Sequence, residues 1–236
     1  MIQIRGLEYS IIQNCNLACP LCAHQAWRAD KKYSLKETII NDLKLISKYI
    51  ISYELRIIGG EPLLHPDIFN IMKDVYKLKI NNNVILATNA TLIKDIHEEL
   101  FDYFDCLKIT LYSYSKKKVD INKIKELCNK HHKKIILLQF DHIKILEFIR
   151  CNEDEAQRRW NNCFMRRMNI CTSVCDGRFY PCAISQAMPY WIHKFVKNFD
   201  GSKDYADIRN LSELEYITNK KEHSEACHFC TGCIIW

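Results

Sequence analysis

EYSIIQNCNLACPLC, residues 8 to 22, begins as a run of strand formers and ends on three cysteines, Cys15, Cys19 and Cys22. Residues 8–13 read as a β-strand, and the thiols that follow form a Cys-x3-Cys-x2-Cys loop. Three thiols at such gaps can hold three irons of a [4Fe–4S] cluster and leave the fourth iron open to a non-protein ligand. A structural zinc site asks instead for four protein ligands and a closed shell. Here His24 or a remote cysteine would have to complete it.

Outward from this loop the chain alternates. Residues 35–50 have helical apolar spacing, with Ser34 as N-cap and Glu37 three residues later, a capping-box pattern. Residues 54–58 form a strand that runs into Gly59, Gly60, Glu61 and Pro62. Helices follow at 67–78, 92–104 and 119–132, and strands at 83–88, 106–113 and 134–140. Five strands separated by four helices argue for a parallel sheet with right-handed crossovers. The count is too low for a complete eight-stranded barrel. The expected fold is therefore α/β, a partial open (β/α) barrel of five to six parallel strands. Ligands of such sheets bind at the carboxyl ends of the strands, where both the cysteine loop and the Gly-Gly-Glu-Pro stretch lie.

From about residue 150 the character changes. Residues 152–160 look helical, and an Asp176-Gly177 dipeptide between strand formers reads as a β-hairpin turn. The expected division is a barrel over 1–150 and a cysteine-rich hairpin domain over 151–236. The 236 residues include 13 cysteines, which group as the first three, then Cys163, Cys171, Cys175 and Cys182, then Cys227, Cys230 and Cys233. Cys106, Cys128 and Cys151 stand alone and read as packing residues. No apolar run is long enough to span a bilayer, and Glu8 interrupts any signal-peptide core, so a cytoplasmic protein without a membrane partner is expected. In a reducing compartment grouped cysteines point to metal and not to disulfides. Net charge is +6, but the basic runs at 116–118 and 130–134 lack aromatic interleaving. They read as solvated faces, and no nucleic-acid partner is expected.

The Cys-x3-Cys-x2-Cys loop after a first strand, followed by Gly59-Gly60-Glu61-Pro62 after a second, resembles the radical SAM superfamily. The resemblance covers roughly the first 140 residues. It implies that Cys15, Cys19 and Cys22 hold a [4Fe–4S] cluster whose open iron binds S-adenosylmethionine, with the Gly-Gly-Glu-Pro backbone and Glu61 near the methionine amino group. It implies a 5′-deoxyadenosyl radical that takes a hydrogen atom from substrate. Asn89, in Ala-Thr-Asn-Ala-Thr where the family commonly has Thr-Asn-Gly, and Thr110 in the fourth strand are implied cofactor contacts. Leu21 stands where the family usually carries an aromatic residue near adenine. His24 reads as structural.

Cys163, thirteen residues, Gly177, four residues, Cys182, then Cys227-x2-Cys230 is an order similar to the SPASM/twitch subfamily. It implies an auxiliary [4Fe–4S] cluster on Cys163, Cys182, Cys227 and Cys230. The chain stops six residues after Cys230, which suggests the twitch form with one auxiliary cluster. Cys171 could replace Cys163, and a zinc ribbon is the alternative metal reading. A closed auxiliary cluster suits electron transfer, hence two-electron oxidation of an alcohol. Cys171, Cys175 or Cys233, if unligated, would suit hydrogen donation in an epimerase. Cys15 comes too early for a leader-binding domain to precede it, so the expected substrate is a small polar molecule: a cyclitol, sugar or nucleotide-sugar. Radical modification of a peptide is the alternative, and a non-catalytic iron–sulfur carrier a more distant one. An external electron donor of flavodoxin or ferredoxin type is implied. Arg158, Arg159, Arg166 and Arg167 are candidates to orient a hydroxyl or a phosphate.

Overall fold

A computed structural model describes residues 1–19, 22–112, 115–140 and 149–231. Strand β1 (Ile2–Ser10) is followed by helix α1 (Lys36–Ile46), β2 (Ile50–Ile58), α2 (Ile68–Lys77), β3 (Val84–Thr88) and β4 (Cys106–Tyr112). Then come α3 (Ile121–Lys130), β5 (Lys134–Phe140), α4 (Glu153–Asn162), α5 (Phe164–Arg167), β6 (Thr172–Cys175), β7 (Arg178–Tyr180), α6 (Ala183–Ala187), β8 (Ala206–Asp207) and α7 (Leu211–Asn219). One eight-stranded sheet runs in the order β5-β4-β3-β2-β1-β6-β7-β8. Strands β5 to β6 of that order are parallel, and β7 and β8 are antiparallel.

Period-two alternation explains the layering. Leu7 and Tyr9 of β1, Leu55 and Ile57 of β2, Leu86 of β3 and Leu107 and Ile109 of β4 are buried in one core with Ile39 and Leu43 of α1 and Ile71 and Met72 of α2. The alternate positions face inward and carry polarity: Glu8, Arg56, Thr110 and Tyr112. Arg56 is buried, with Nη1 donating to Glu8 Oε1 at 3.0 Å and to the Ile170 carbonyl at 2.7 Å, while Nη2 donates to Glu54.

Three expectations are corrected. Residues 92–104 are not an α-helix but two 3-10 segments, Ile93–Asp95 and Glu98–Tyr103. A 3-10 turn eclipses residues three apart, and Phe101 and Phe104 stack tilted at 5.4 Å in the core. The capping box is absent: α1 has Leu35 as N-cap with no side-chain cap bond. The Ser34 hydroxyl instead donates to Asp176 Oδ1 at 3.2 Å. The first strand ends at Ser10 and not at residue 13, because the chain bends into a bridge between Ile12 and Tyr33.

The hairpin at Asp176-Gly177 forms as expected. Both residues take left-handed backbone, φ 49° and 74°, the pair a tight hairpin turn requires. Its turn is fastened to α1, since the Gly177 N–H donates to Asp42 Oδ2 at 2.9 Å and Tyr9 donates to the same oxygen at 2.7 Å. The sixth parallel strand, β6, is the first arm of this hairpin and pairs with β1.

Candidate functional site

The loop leaving β1 is clasped to the loop leaving β2. Gly60 N donates to Ile12 O at 2.8 Å and Glu61 N to Asn14 O at 3.1 Å. Glycine is required for this approach: a Cβ on Gly59 would lie 2.6 Å from the Ile12 carbonyl oxygen, and one on Gly60 2.1 Å from that of Asn14. Glu61 is fully buried. Its carboxylate accepts from Leu63 N at 3.0 Å, Thr88 Oγ1 at 2.6 Å and Asn89 N at 2.8 Å. Burial raises its pKa, and those three donors oppose the rise. Asn89 continues the chain of contacts, donating from Nδ2 to Asn16 Oδ1 at 2.9 Å and to Cys15 Sγ at 3.7 Å. Glu61 therefore ties the ends of β2 and β3 together beneath the cysteine loop. Ala90 has φ 61°, a left-handed conformation that the glycine of Thr-Asn-Gly would adopt without strain.

A cavity of about 290 Å³ opens at the carboxyl ends of the strands. Cys15, Cys19 and Cys22 line it with Gly59, Gly60, Thr88, Asn89 and Thr110. Glu61 and Pro62 do not; they are buried behind it. The Glu61 carboxylate is spent on Leu63 and on the end of β3. Leu21 lies outside the described residues. Cys163, Cys171, Cys182 and Cys230 close the opposite side of the same cavity.

Three lining residues escaped the sequence reading. Glu8 brings a buried carboxylate from β1. His24, read as structural, lines the cavity as well, and burial lowers its pKa and favours the neutral ring. Tyr112 hydrogen-bonds Cys19, and burial together with the Cys22, Cys19 and Cys15 thiols raises its pKa. Tyr112 was findable, since it lies two residues after Thr110 on the same strand face.

The second cysteine group converges separately. Cys163, the residue after α4, Cys182, the N-cap of α6, and Cys227 and Cys230 line one small cavity of about 30 Å³. Arg159 and Arg166 line it too, and Arg159 Nη1 donates to the Cys230 carbonyl at 3.2 Å. Arg158 and Arg167 are exposed, and none of the four arginines lines the larger cavity. Cys175 is buried elsewhere, accepting from Gln13 Nε2 at 3.5 Å and contacting Tyr190 Oη at 3.7 Å. Cys106 and Cys128 are core residues as expected, whereas Cys151 is half-buried beside His228. Cys233 lies outside the described residues.

Both thiol groups fit soft-metal ligation. Burial pushes the Cys15 thiol up to about 12, with only Leu17 N pulling it down, and burial also raises Cys22 and Cys227. Thiols so placed ionise when a cation shares the site. All-sulfur donor sets select iron–sulfur clusters or zinc.

GTP 3′,8-cyclase from Microcystis aeruginosa is 31% identical over 106 residues, 43% of this chain and 32% of that protein. The probable GTP 3′,8-cyclase of Methanococcus aeolicus is 33% identical over 103 residues, 42% of this chain and 34% of that one. The chain thus spans about a third of the length of the curated relatives it matches. Among solved structures, BtrN in complex with AdoMet and 2-DOIA superposes with a TM-score of 0.57 at 14% identity, covering 97% of this chain and 93% of that one. A native anSMEcpe complex with AdoMet and a peptide gives 0.54 at 14%, covering 93% and 81%. These establish the shared fold. A family profile, the Radical SAM superfamily, matches residues 9–145, the span that carries the end of β1, the cysteine loop, Gly59-Gly60 and the ends of β3 and β4. The chain belongs to the radical SAM superfamily, whose cofactors are a [4Fe–4S] cluster and S-adenosylmethionine.

Proposed function

We propose that this radical SAM enzyme carries two [4Fe–4S] clusters and oxidises an alcohol of a small polar substrate. Cys15, Cys19 and Cys22 hold the first cluster, with Gly59, Gly60, Asn89 and Thr110 beside S-adenosylmethionine. Cys163, Cys182, Cys227 and Cys230 hold the second, within the cysteine-rich segment 151–236 that follows the barrel segment 1–150. The observation that carries this reading is that Cys163, Cys182 and Cys230 line both the small cavity and the large one. The second group is thus a wall of the cavity that the first group also lines.

When bound, the reduced cluster and S-adenosylmethionine supply a carbon radical that removes hydrogen from a substrate carbon. The chain does the rest. Glu8, fixed by Arg56, and the neutral His24 are the groups able to accept the hydroxyl proton. Thr110 and Tyr112 orient hydroxyls, and Ile58, Ala183 and Ile184 keep the cavity apolar between them. Cys163, Cys182, Cys227 and Cys230 would hold a second cluster by four thiols, a donor set that would suit it to take up an electron and not to bind substrate. A flavodoxin- or ferredoxin-type donor reduces the first cluster.

No lysine or arginine stands among the described lining residues. Among these described residues a triphosphate would meet no lysine or arginine, and this favours a cyclitol or sugar over a nucleotide-sugar or GTP. Cys171 supports a second reading. It is a thiol in the large cavity that does not line the small one, as a hydrogen donor for epimerisation would be.

The test is anaerobic reconstitution followed by turnover with candidate alcohols. We expect roughly eight irons per chain, falling to roughly four in Cys182→Ala, and a ketone formed with 5′-deoxyadenosine. 5′-Deoxyadenosine without ketone counts against oxidation. Zinc without iron at the second group refutes the auxiliary cluster.

A further inference from the structure

Outside the cysteines, a second set of metal-ligating side chains meets at the start of α4. Ligand atoms of Glu153, His223 and His228 lie within 4.8 Å of one another. Glu153 is the first residue of α4, and His228 sits between Cys227 and Cys230. In the neutral rings the tautomer is set by what each imidazole touches on its other edge. His228 Nδ1 is 2.8 Å from the Cys151 carbonyl oxygen, to which it can only donate. His223 Nδ1 is 3.3 Å from Gln157 Oε1. That amide is oriented, because Gln157 Nε2 donates to Asn161 Oδ1 and to the Lys221 carbonyl, both at 2.9 Å. In neutral rings with both Nδ1 positions donating, the lone pairs fall on the two Nε2 atoms, which lie 3.0 Å apart.

Two lone pairs at that distance repel unless a cation lies beside them. Glu153 adds negative charge, with Oε2 3.2 Å from His223 Nε2 and Oε1 3.5 Å from His228 Nε2. The Arg150 guanidinium answers this charge: Nη2 is 2.8 Å from His228 Nε2, 3.1 Å from Glu153 Oε1 and 3.3 Å from Glu225 Oε2. Arg150 is also 43% exposed, so its guanidinium has an open path into solvent.

We propose that Glu153, His223 and His228 bind a divalent ion of the zinc class, with Glu225 as a further carboxylate and Arg150 as the cation it displaces. Two imidazole nitrogens and a carboxylate are zinc donors. Across a tetrahedral zinc two such nitrogens stand about 3.3 Å apart, close to the separation observed. The Nδ1–H bonds to a backbone carbonyl and to Gln157 are the outer-shell bonds that orient ligating histidines. The ion would fasten the Cys227–Cys230 segment to α4, and the site stands whether or not those cysteines hold iron.

The test uses cluster-loaded, anaerobic protein titrated with zinc alone, or with cobalt(II) as a visible reporter, and metal analysis after desalting. The expected result is about one zinc per chain beyond the iron, in a site of three or four protein ligands. His223→Gln and Glu153→Gln each weaken binding by more than about tenfold, the scale on which even outer-shell losses act, with iron content unchanged. Arg150→Ala, which removes the competing cation, tightens binding severalfold. No additional zinc in the wild type, zinc retained in His223→Gln, or binding not tightened in Arg150→Ala each overturns the proposal.

Discussion

Gly60→Ala tests whether the clasp between the two strand-end loops positions the first cluster. The added Cβ would sit 2.1 Å from the Asn14 carbonyl oxygen and 2.8 Å from Cys15 N. Ordinary contact begins near 3.4 Å, so the Asn14 carbonyl must retreat by about 1.3 Å. Both obstacles are backbone, and no rotamer change relieves them. The retreat stretches the bonds from Gly60 N to Ile12 O and from Glu61 N to Asn14 O, and it carries Cys15 with it. Overpacking of this kind costs about 1–3 kcal/mol in stability, which a domain of this size survives. A displacement near 1 Å at a reacting centre costs on the order of a hundredfold in rate. The assay is 5′-deoxyadenosine formation under dithionite, with iron content and the electron paramagnetic resonance of the reduced cluster with and without S-adenosylmethionine. Gly177→Ala is the control. Nothing lies within 4 Å of its Cβ, and its φ of 74° makes the cost one of backbone conformation alone, about 1–2 kcal/mol, with the rate unchanged. If Gly60→Ala keeps its rate within about threefold, the close approach does not position the cluster.

Three further outcomes follow from other parts of the molecule. Arg56→Ala leaves the buried Glu8 and the half-buried Glu54 without their cation and should destabilise by about 3–5 kcal/mol; an unfolding free energy, from urea titration, lowered by less than a quarter of that would show that these carboxylates are solvated. Tyr112→Phe removes the hydroxyl bonded to Cys19. Hydrogen bonds to ligating sulfur raise cluster potentials, so the variant's first cluster should titrate at a more negative potential, and an unchanged potential refutes the contact. Burial raises the Asp204 carboxyl from 3.8 to about 6, against the pull of the Glu225 and Ala226 N–H groups. The folded state therefore holds this proton longer than the unfolded chain. Its contribution is complete below about pH 4 and is lost as pH rises through 6, by about 1.4 kcal/mol per pH unit between. Asp204→Asn should gain on the wild type in stability between about pH 4 and pH 6, and parallel pH profiles would refute the assignment.

What the sequence made legible was whatever is written in local spacing. Period-two strands, the cysteine loop and the Asp176-Gly177 turn are each decided by residues within a few positions of one another. Contacts made by distant partners were not legible. Ser34 and Glu37 satisfy the spacing of a capping box, but Asp176, 142 residues away, claims the Ser34 hydroxyl. Residues 92–104 have helical apolar spacing, yet the core that receives Phe101 and Phe104 is filled by a 3-10 geometry. Glu61 was legible as part of a motif. Its attachment to β3 was not, because its partners Thr88 and Asn89 lie 27 and 28 residues on. The four cysteines of the second group were picked out by the resemblance of their order to the SPASM/twitch pattern, and the fold gathers them around one cavity.

Strand order explains why the two cysteine groups adjoin. β1 has β2 on one side and β6 on the other. The carboxyl end of β1 delivers the first three cysteines, and that of β2 delivers Gly59 and Gly60. On the other side, the hairpin that begins with β6 delivers Cys182 directly after β7. Pairing of Leu7 with Thr172 and of Tyr9 with Val174 sets this hairpin level with the upper half of β1. The cysteine-rich segment thus continues the barrel sheet, and the large cavity lies between its thiols and those of the first loop. A substrate there would meet the inward positions of β1 and β4, Glu8, Thr110 and Tyr112. Selectivity for the substrate should accordingly follow substitutions at these three strand positions, while the fate of the radical should follow the cysteines opposite.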